Sequence, residues 1–285
     1  MPEGPEIRRA ADQIAKVLVG QHIAEVAFGL PNLKRFEERL TGKKVTAVDT
    51  RGKAMLTHFD CGLTLYSHNQ LYGRWFTMRR PRMPETKRSL RVALHTETHS
   101  ALLYSASDIE VLDDRQLLRH PFLNRIGPDI LDPQLTADDI VRRLQMPQHR
   151  NRALGNLYLD QAFLAGNGNY LRSEILWAAR IGPTRRPAEL KLAEINRLAR
   201  ETLRISRRSY RTRGVTTSPS LARLLKERGL SYRQYRFFVF GRDELPCHRC
   251  DVEIERRSMG SRNIFVCPRC QARTANERRA AKAGK

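Results

Sequence analysis

The chain has 285 residues, enough for two packed domains and a small module at about 100–150 residues per domain. Its 52 Lys and Arg outweigh 30 Asp and Glu, and the resulting net charge of +22 favours a polyanionic partner. No apolar run approaches the ~20 residues of a membrane span, and MPEGPEIRR lacks the apolar core of a signal peptide, so a soluble cytosolic or nucleoid protein without membrane contact is expected.

At the N-terminus Met1 precedes a small proline, a pattern that favours removal of the methionine and exposes a secondary amine at Pro2. An α-amino group has a pKa of about 7.7–8.0 against ~10.4 for lysine, so a useful fraction is unprotonated at neutral pH and is a ready nucleophile. Attack on the anomeric carbon of a deoxynucleotide would displace the base and leave an iminium. Glu3 could donate a proton to the opening sugar ring, and Glu6, one helical turn on, could orient the site. Taken alone, PEGPE is equally a helix start with its acids placed well against the macrodipole.

After PEGPE, Ile7, Ala10, Ala11, Ile14 and Leu18 recur at helical spacing, which predicts an amphipathic helix over 5–19, with Pro5 in its first turn. From about 22 to 112 the pattern changes to short runs, among them IAEVAF, KVTAVDT, AMLTHF, LTLYSH, LRVAL and ALLYSA, as expected of an antiparallel β-sandwich or barrel. Cys61 beside Gly62 reads as a structural cysteine at a turn. Beyond GPDILDP the period becomes helical in TADDIVRRL, NLYLDQAFL, NYLRSEILWAARI and AELKLAEINRLARETLRI.

The fold class expected is therefore α+β and multidomain: an N-terminal helix and antiparallel β-sandwich over 1–128, then a helical domain over 129–213. Residues 214–237 read as a mobile connector with at most one short helix at LARLLKE, 238–272 as a zinc hairpin, and 273–285 as a disordered basic tail.

LAGNGNYLRSEILW sets Gly166 and Gly168 between two apolar helical runs, a helix-turn-helix pattern whose second helix start could grip a phosphate, although an ordinary helical hairpin has the same pattern. Cys247-His-Arg-Cys250 and Cys267-Pro-Arg-Cys270 lie sixteen residues apart, the spacing of two knuckles that share one tetrahedral zinc. Four thiolates close the coordination shell, so this zinc is expected to be structural. Strand-like RFFVF and NIFV before the two pairs suggest the hairpin, with Arg256, Arg257 and Arg262 displayed near it.

With MPEGPEIRRAADQI, RGKAML, YSHNQLYGRW, the AGNGNY turn and the zinc hairpin in this order, residues 1–272 resemble the formamidopyrimidine-DNA glycosylase and endonuclease VIII family. The resemblance implies a β-sandwich and a helix-two-turn-helix domain with a zinc hairpin, acting as a monomer on damaged double-stranded DNA. It implies a bifunctional glycosylase and AP lyase of base excision repair, with Pro2 as nucleophile and β,δ-elimination of the strand. Glu3 matches the general acid, and Lys53 the residue of proton transfer or phosphate contact during β-elimination. Arg262 matches the hairpin arginine linked to δ-elimination, while Arg125 and Asn169 match DNA contacts.

Gln70, Leu71 and Tyr72 resemble the triplet with which the endonuclease VIII branch fills the space left by a flipped nucleotide, which implies a preference for oxidised pyrimidines. Two features depart from that branch: Asn167 stands where an aliphatic residue is usual, and the 214–236 connector is longer. Oxidised purines are therefore the alternative substrates. A zinc-containing DNA-binding protein without activity is the rival from another class, but it gives PEGPE no task.

Overall fold

The computed structural model describes residues 2–272, and the expected basic tail lies outside them. The chain divides into two compact units, Met1–Ile126 and Gly127–Lys285. No helix among the described residues is long and apolar enough to cross a membrane.

In the first unit the helix α1 spans Gly4–Leu18 and buries Ile7, Ala11, Ile14 and Leu18 on one stripe. Eight strands follow: β1 Glu25–Phe28, β2 Val45–Arg51, β3 Ala54–Phe59, β4 Leu63–His68, β5 Arg74–Arg79, β6 Leu90–His95, β7 His99–Tyr104 and β8 Asp108–Asp113. They form two four-stranded sheets, ordered β1-β6-β7-β5 and β2-β3-β4-β8, in which every pairing is antiparallel. One core joins the α1 stripe to Met55, Leu65 and Val111 of one sheet and Phe28, Leu94 and Leu103 of the other, so the unit is the expected sandwich with a helix packed on it. The opposite face of β3 and β4 is also covered: Leu56 and Tyr66 pack with Leu112, Leu117, Phe122 and Leu123.

The second unit is helical, with helices Ala137–Gln145, Asn169–Ala178 and Leu192–Arg211 around one apolar core. Thr136 caps the first, its hydroxyl accepting from the Asp139 N–H at 3.2 Å. NLYLDQAFL, expected as a continuous helical run, is helical only in its first two residues, the end of the helix Leu154–Leu157, and then turns. Side chains take its backbone donors: Asp160 accepts from Ala162 N–H at 2.9 Å and Gln161 from Gly166 N–H at 3.1 Å.

RFFVF also differs from its expected strand. The hairpin consists of β9, Glu255–Met259, and β10, Arg262–Val266, and both strands lie between the two cysteine pairs. Residues 236–240 form instead an irregular segment whose donors end on one buried carboxylate. Glu174, wholly inside the unit, accepts from the N–H groups of Phe238 and Val239 at 2.8 Å and Phe240 at 2.9 Å, and from the Thr216 hydroxyl. Burial raises its pKa, and these four hydrogen bonds oppose the rise.

Residues 214–236 hold the helix Pro219–Glu227, which contains the short helix expected at LARLLKE, and a second short helix, Tyr232–Tyr235, that the sequence did not suggest. The hairpin shares the helical core through Ile264, Phe265 and Val266.

Glu174→Ala strips the partner from three buried N–H groups and a hydroxyl at roughly 1–3 kcal/mol for each unsatisfied group. Denaturant unfolding is expected to show a loss of at least about 3 kcal/mol, with Glu174→Gln recovering only part because its amide turns a donor toward donors. A loss below about 1 kcal/mol would deny the carboxylate its fastening role.

Candidate nucleic-acid site

Glu3 is the N-cap of α1 and is 2% exposed. Its N–H donates to the Glu6 carboxylate at 3.0 Å, while its carbonyl accepts from the N–H groups of Glu6 and Ile7 at 3.1 Å. The Glu3 N–H belongs to the Pro2–Glu3 peptide plane, so Glu6 fixes the orientation of the residue before it. Pro2, Glu3 and Glu6 are thus held in one capped helix start.

Val19, which ends α1, bridges Val45 at the beginning of β2, and α1 packs on both β2 and β3. Fifteen helical residues span about 22 Å. Seven strand residues span much the same length, about 23 Å. A strand that sets out from the C-terminal end of α1 therefore brings its far turn back toward the N-terminal end. That turn is Gly52-Lys53: Arg51 pairs with Ala54, leaving a two-residue hairpin loop with its first position at φ +63, which glycine supplies without strain. Lys53 is 8% exposed, so it is not an ordinary solvated lysine.

The loop that follows β4 carries Gln70, Leu71 and Tyr72. Gln70 sits at φ +48, a left-handed conformation that a side chain rarely adopts. Its N–H donates to His68 Nδ1 at 3.1 Å and its side-chain oxygen accepts from Ser107 Oγ at 3.2 Å. Arg88 binds the Tyr72 carbonyl, and the Gly73 N–H donates to the Asn69 carbonyl at 2.7 Å. A Cβ at Gly73 would stand 2.7 Å from Asn69, so the loop closes only over glycine. Leu71 and Tyr72 project from this frame, 59% and 69% exposed. Arg125, exposed in the last turn of the helix Pro121–Arg125, has no hydrogen bond or ion pair to the other candidates.

In the second unit Gly166 turns at φ +93 and Gly168 caps the helix that begins at Asn169. The Asn169 Oδ1 is buried with no partner among the described residues, and so are both polar atoms of Asn167. Arg172, fully buried, donates to the carbonyls of Gly155 at 2.8 Å and Asn263 at 3.1 Å, tying this helix to β10 beside the exposed Arg262. Arg256 and Arg257, across the hairpin, pair with Asp243 and Glu255. Sequence reasoning did not single out Arg172; its signal was a cation within the otherwise apolar run NYLRSEILW.

Ligand atoms of Cys247, Cys250, Cys267 and Cys270 all lie within 4.8 Å of one another. Sγ separations of 3.9, 3.4 and 3.5 Å compare with the ~3.8 Å edge of a tetrahedron with 2.3 Å zinc–sulfur bonds. Hydrogen bonds from Cys267 and Cys270 push the Cys247 pKa down, and the contact with Cys247 pushes those of Cys267 and Cys270 up. A divalent cation resolves that competition by taking four thiolates. This cluster fits one structural zinc.

Residues 1–119 match the formamidopyrimidine-DNA glycosylase N-terminal domain, 126–220 its H2TH domain, and 244–273 the zinc finger found in FPG and IleRS. The chain is 49% identical over 271 residues to Endonuclease 8 of Enterobacter sp. (strain 638) and to that of Salmonella arizonae, covering 95% of this chain and 100% of each relative. A Lactococcus lactis Fpg (MutM) bound to DNA containing N7-benzyl-Fapy-dG superposes with TM-score 0.78 at 21% identity, covering 95% of this chain and 100% of that one.

Burial pushes the His68 pKa below its ordinary 6.5, Asp108 on β8 opposes this, and Lys53 adds to the depression. Above pH 6.5 folded and unfolded His68 are both neutral and contribute nothing. Below it the unfolded state takes up the proton first, so stability falls until pH passes the folded value. His68→Asn, which keeps an acceptor without the titration, should flatten the stability profile below pH 6.5, read by thermal unfolding at stepped pH. An unchanged profile would remove His68 from the loop frame.

Proposed function

The chain belongs to the formamidopyrimidine-DNA glycosylase family and is a DNA glycosylase with AP lyase activity in base excision repair, and we propose that Pro2 is its nucleophile and oxidised pyrimidines its preferred lesions. The observation that carries this reading is the buried, doubly fastened helix start at Glu3 and Glu6, which gives a flexible terminus a fixed direction.

The Pro2 nitrogen lone pair forms a bond to C1′ as the bond from C1′ to the base breaks, and the base leaves with its bonding pair and takes up the proton that the proline nitrogen loses. Glu3 gives its proton to the ring oxygen O4′ as the C1′–O4′ bond opens, leaving an iminium between the proline nitrogen and C1′. The iminium draws electrons from C2′, so loss of a C2′ proton expels the 3′ phosphate, and a second elimination expels the 5′ phosphate. Lys53, held in the β2–β3 turn, supplies a cation for proton transfer or phosphate contact in those eliminations. Arg262 on β10 and the Asn169 helix start bind phosphate, and Arg125 adds a further contact. The zinc holds the shape of the hairpin and takes no part in the chemistry.

Leu71 would enter the stack vacated by the flipped nucleotide while Tyr72 covers the neighbouring base. The protein acts as a monomer in the bacterial cytosol on duplex DNA.

Borohydride is expected to trap a covalent complex between the methionine-processed protein and abasic DNA, and Pro2→Gly should trap far less. Undiminished trapping would move the nucleophile to another amine, with Lys53 the first to test.

Single-turnover excision is expected to be faster on thymine glycol than on oxidised guanine. Leu71→Ala or Tyr72→Ala should slow excision from duplex DNA by about 5- to 150-fold, since stacking is worth about 1–3 kcal/mol per base, yet leave cleavage of an abasic site nearly unchanged. Faster guanine excision would overturn the lesion preference and leave the Pro2 chemistry standing.

A further inference from the structure

Residues 211–236 hold seven cations against a single acid, Glu227. Arg211, Arg213, Arg223, Lys226, Arg228 and Arg233 are exposed, and none of the six makes an ion pair with a described residue. An unpaired basic surface of this size is a solvated face unless it is held in a fixed shape beside a polyanion.

This segment is held. The Thr216 N–H donates to the Arg236 carbonyl at 2.8 Å and the Thr217 hydroxyl to the Tyr235 carbonyl at 2.9 Å, so the arm leaves and returns at one place. The Tyr232 hydroxyl donates to the Arg213 carbonyl at 2.6 Å, which clips the short helix Tyr232–Tyr235 to the end of the Leu192–Arg211 helix. In the helix Pro219–Glu227, capped by Ser218, Leu225 is buried and Leu221 packs on the core. At 100° per residue Arg223 lies on the side opposite those two leucines, and Lys226 lies beside it with its ammonium over the Tyr235 ring.

The arm adjoins the helix start proposed to bind phosphate. Arg236, where the arm ends, lies 4.1 Å from the Phe237 ring centroid and 5.9 Å from that of Tyr170, the residue after Asn169. Phe237 and Tyr170 are themselves 5.1 Å apart. One ring face of Tyr232 and one of Tyr235 are already covered, by Arg236 and Lys226 at 4.8 Å. Cations, more than free aromatic faces, are therefore what the arm offers outward, and that favours a phosphate backbone over a stacked base.

We propose that residues 211–236 form a second backbone-binding arm, continuous with the Asn169 helix start, in which Arg223, Lys226 and Arg233 contact phosphates of the DNA duplex beyond the lesion. The proposal rests on the DNA-repair reading for its ligand and is independent of which bases are excised. Because the arm is already ordered, its contacts carry little cost of ordering on binding. It reads charge and shape and carries no sequence information.

The test uses the full chain and a duplex carrying a tetrahydrofuran abasic analogue, with affinity measured against salt. Arg223→Gln, Lys226→Gln and Arg233→Gln should each lower the slope of log affinity against log salt by about 0.9, and together by about 2.7. Trimming the duplex stepwise on each side of the lesion should abolish the difference on one side only, at the length that no longer reaches the arm. Zinc content and borohydride trapping at saturating enzyme should stay at wild-type levels, and this separates failure of the arm from failure of the Pro2 reading. An unchanged slope in the triple variant would overturn the proposal. So would a fall in saturating excision rate on damaged duplex with the slope intact, which would make the arm a cover for the flipped base.

Discussion

A nucleophile at the chain terminus, as proposed for Pro2, has no side-chain rotamer to aim it, and termini are ordinarily the loosest part of a domain. Whatever holds residues 3 to 6 must therefore supply the precision that a catalytic side chain would draw from its own packing. In this protein the first turn of α1 provides it twice. Glu6 takes the N–H of the Pro2–Glu3 peptide, and the stripe Ile7, Ala11, Ile14 and Leu18 anchors the helix in the core shared by both sheets. The sandwich is thus part of the proposed active site, because its core is what keeps the terminus still.

The second unit meets a related problem with different means, since its 236–240 segment lies in no helix or strand. Glu174 gathers three N–H groups and a hydroxyl from two stretches of chain onto one carboxylate. Arg172, two residues earlier on the same helix, fastens Asn263 and Gly155. One short stretch of the Asn169–Ala178 helix thereby sets the position of the hairpin that carries Arg262. Neither residue can be lost without leaving buried polar groups unsatisfied, which is a harsher penalty than the loss of an ordinary surface contact.

Patterns that depend on local spacing could be read from the sequence alone. The α1 stripe, the alternating strands and the paired Cys-x-x-Cys knuckles each have one physical solution, and their positions follow within a residue or two. Patterns whose outcome depends on a distant partner could not. RFFVF has the composition of a strand, and only Glu174, more than sixty residues earlier, turns its donors away from a ladder. NLYLDQAFL has helical spacing, yet Asp160 and Gln161 bond the following backbone and break it into turns. The 214–236 stretch, rich in Ser, Thr and Gly, resembles a linker until Thr216 and Thr217 are seen to pin both its ends. At the proposed site, the PEGPE and RGKAML motifs marked the residues, but the burial of Lys53 and the left-handed Gln70 came only from the fold.

The net charge of +22 accounts for attraction to DNA without distinguishing one nucleotide from another, because phosphate contacts fix register and carry no sequence information. Selection of a damaged base has to come from short-range groups, and among the described residues of the first unit the Gln70-Leu71-Tyr72 loop is the one place where large apolar side chains stand exposed on a strained backbone. Such strain persists only where neighbours over-determine it. His68, Ser107, Arg88 and Gly73 do so here, each binding a different part of the loop. As the proposed wedge, such a loop would act on any poorly stacked step and read no base edge, so it would favour whichever nucleotides unstack most easily. On the proposed reading, discrimination among lesions would divide in two: the wedge would set how readily a nucleotide leaves the helix, and the groups that meet the extruded base would decide whether its bond to the sugar is broken.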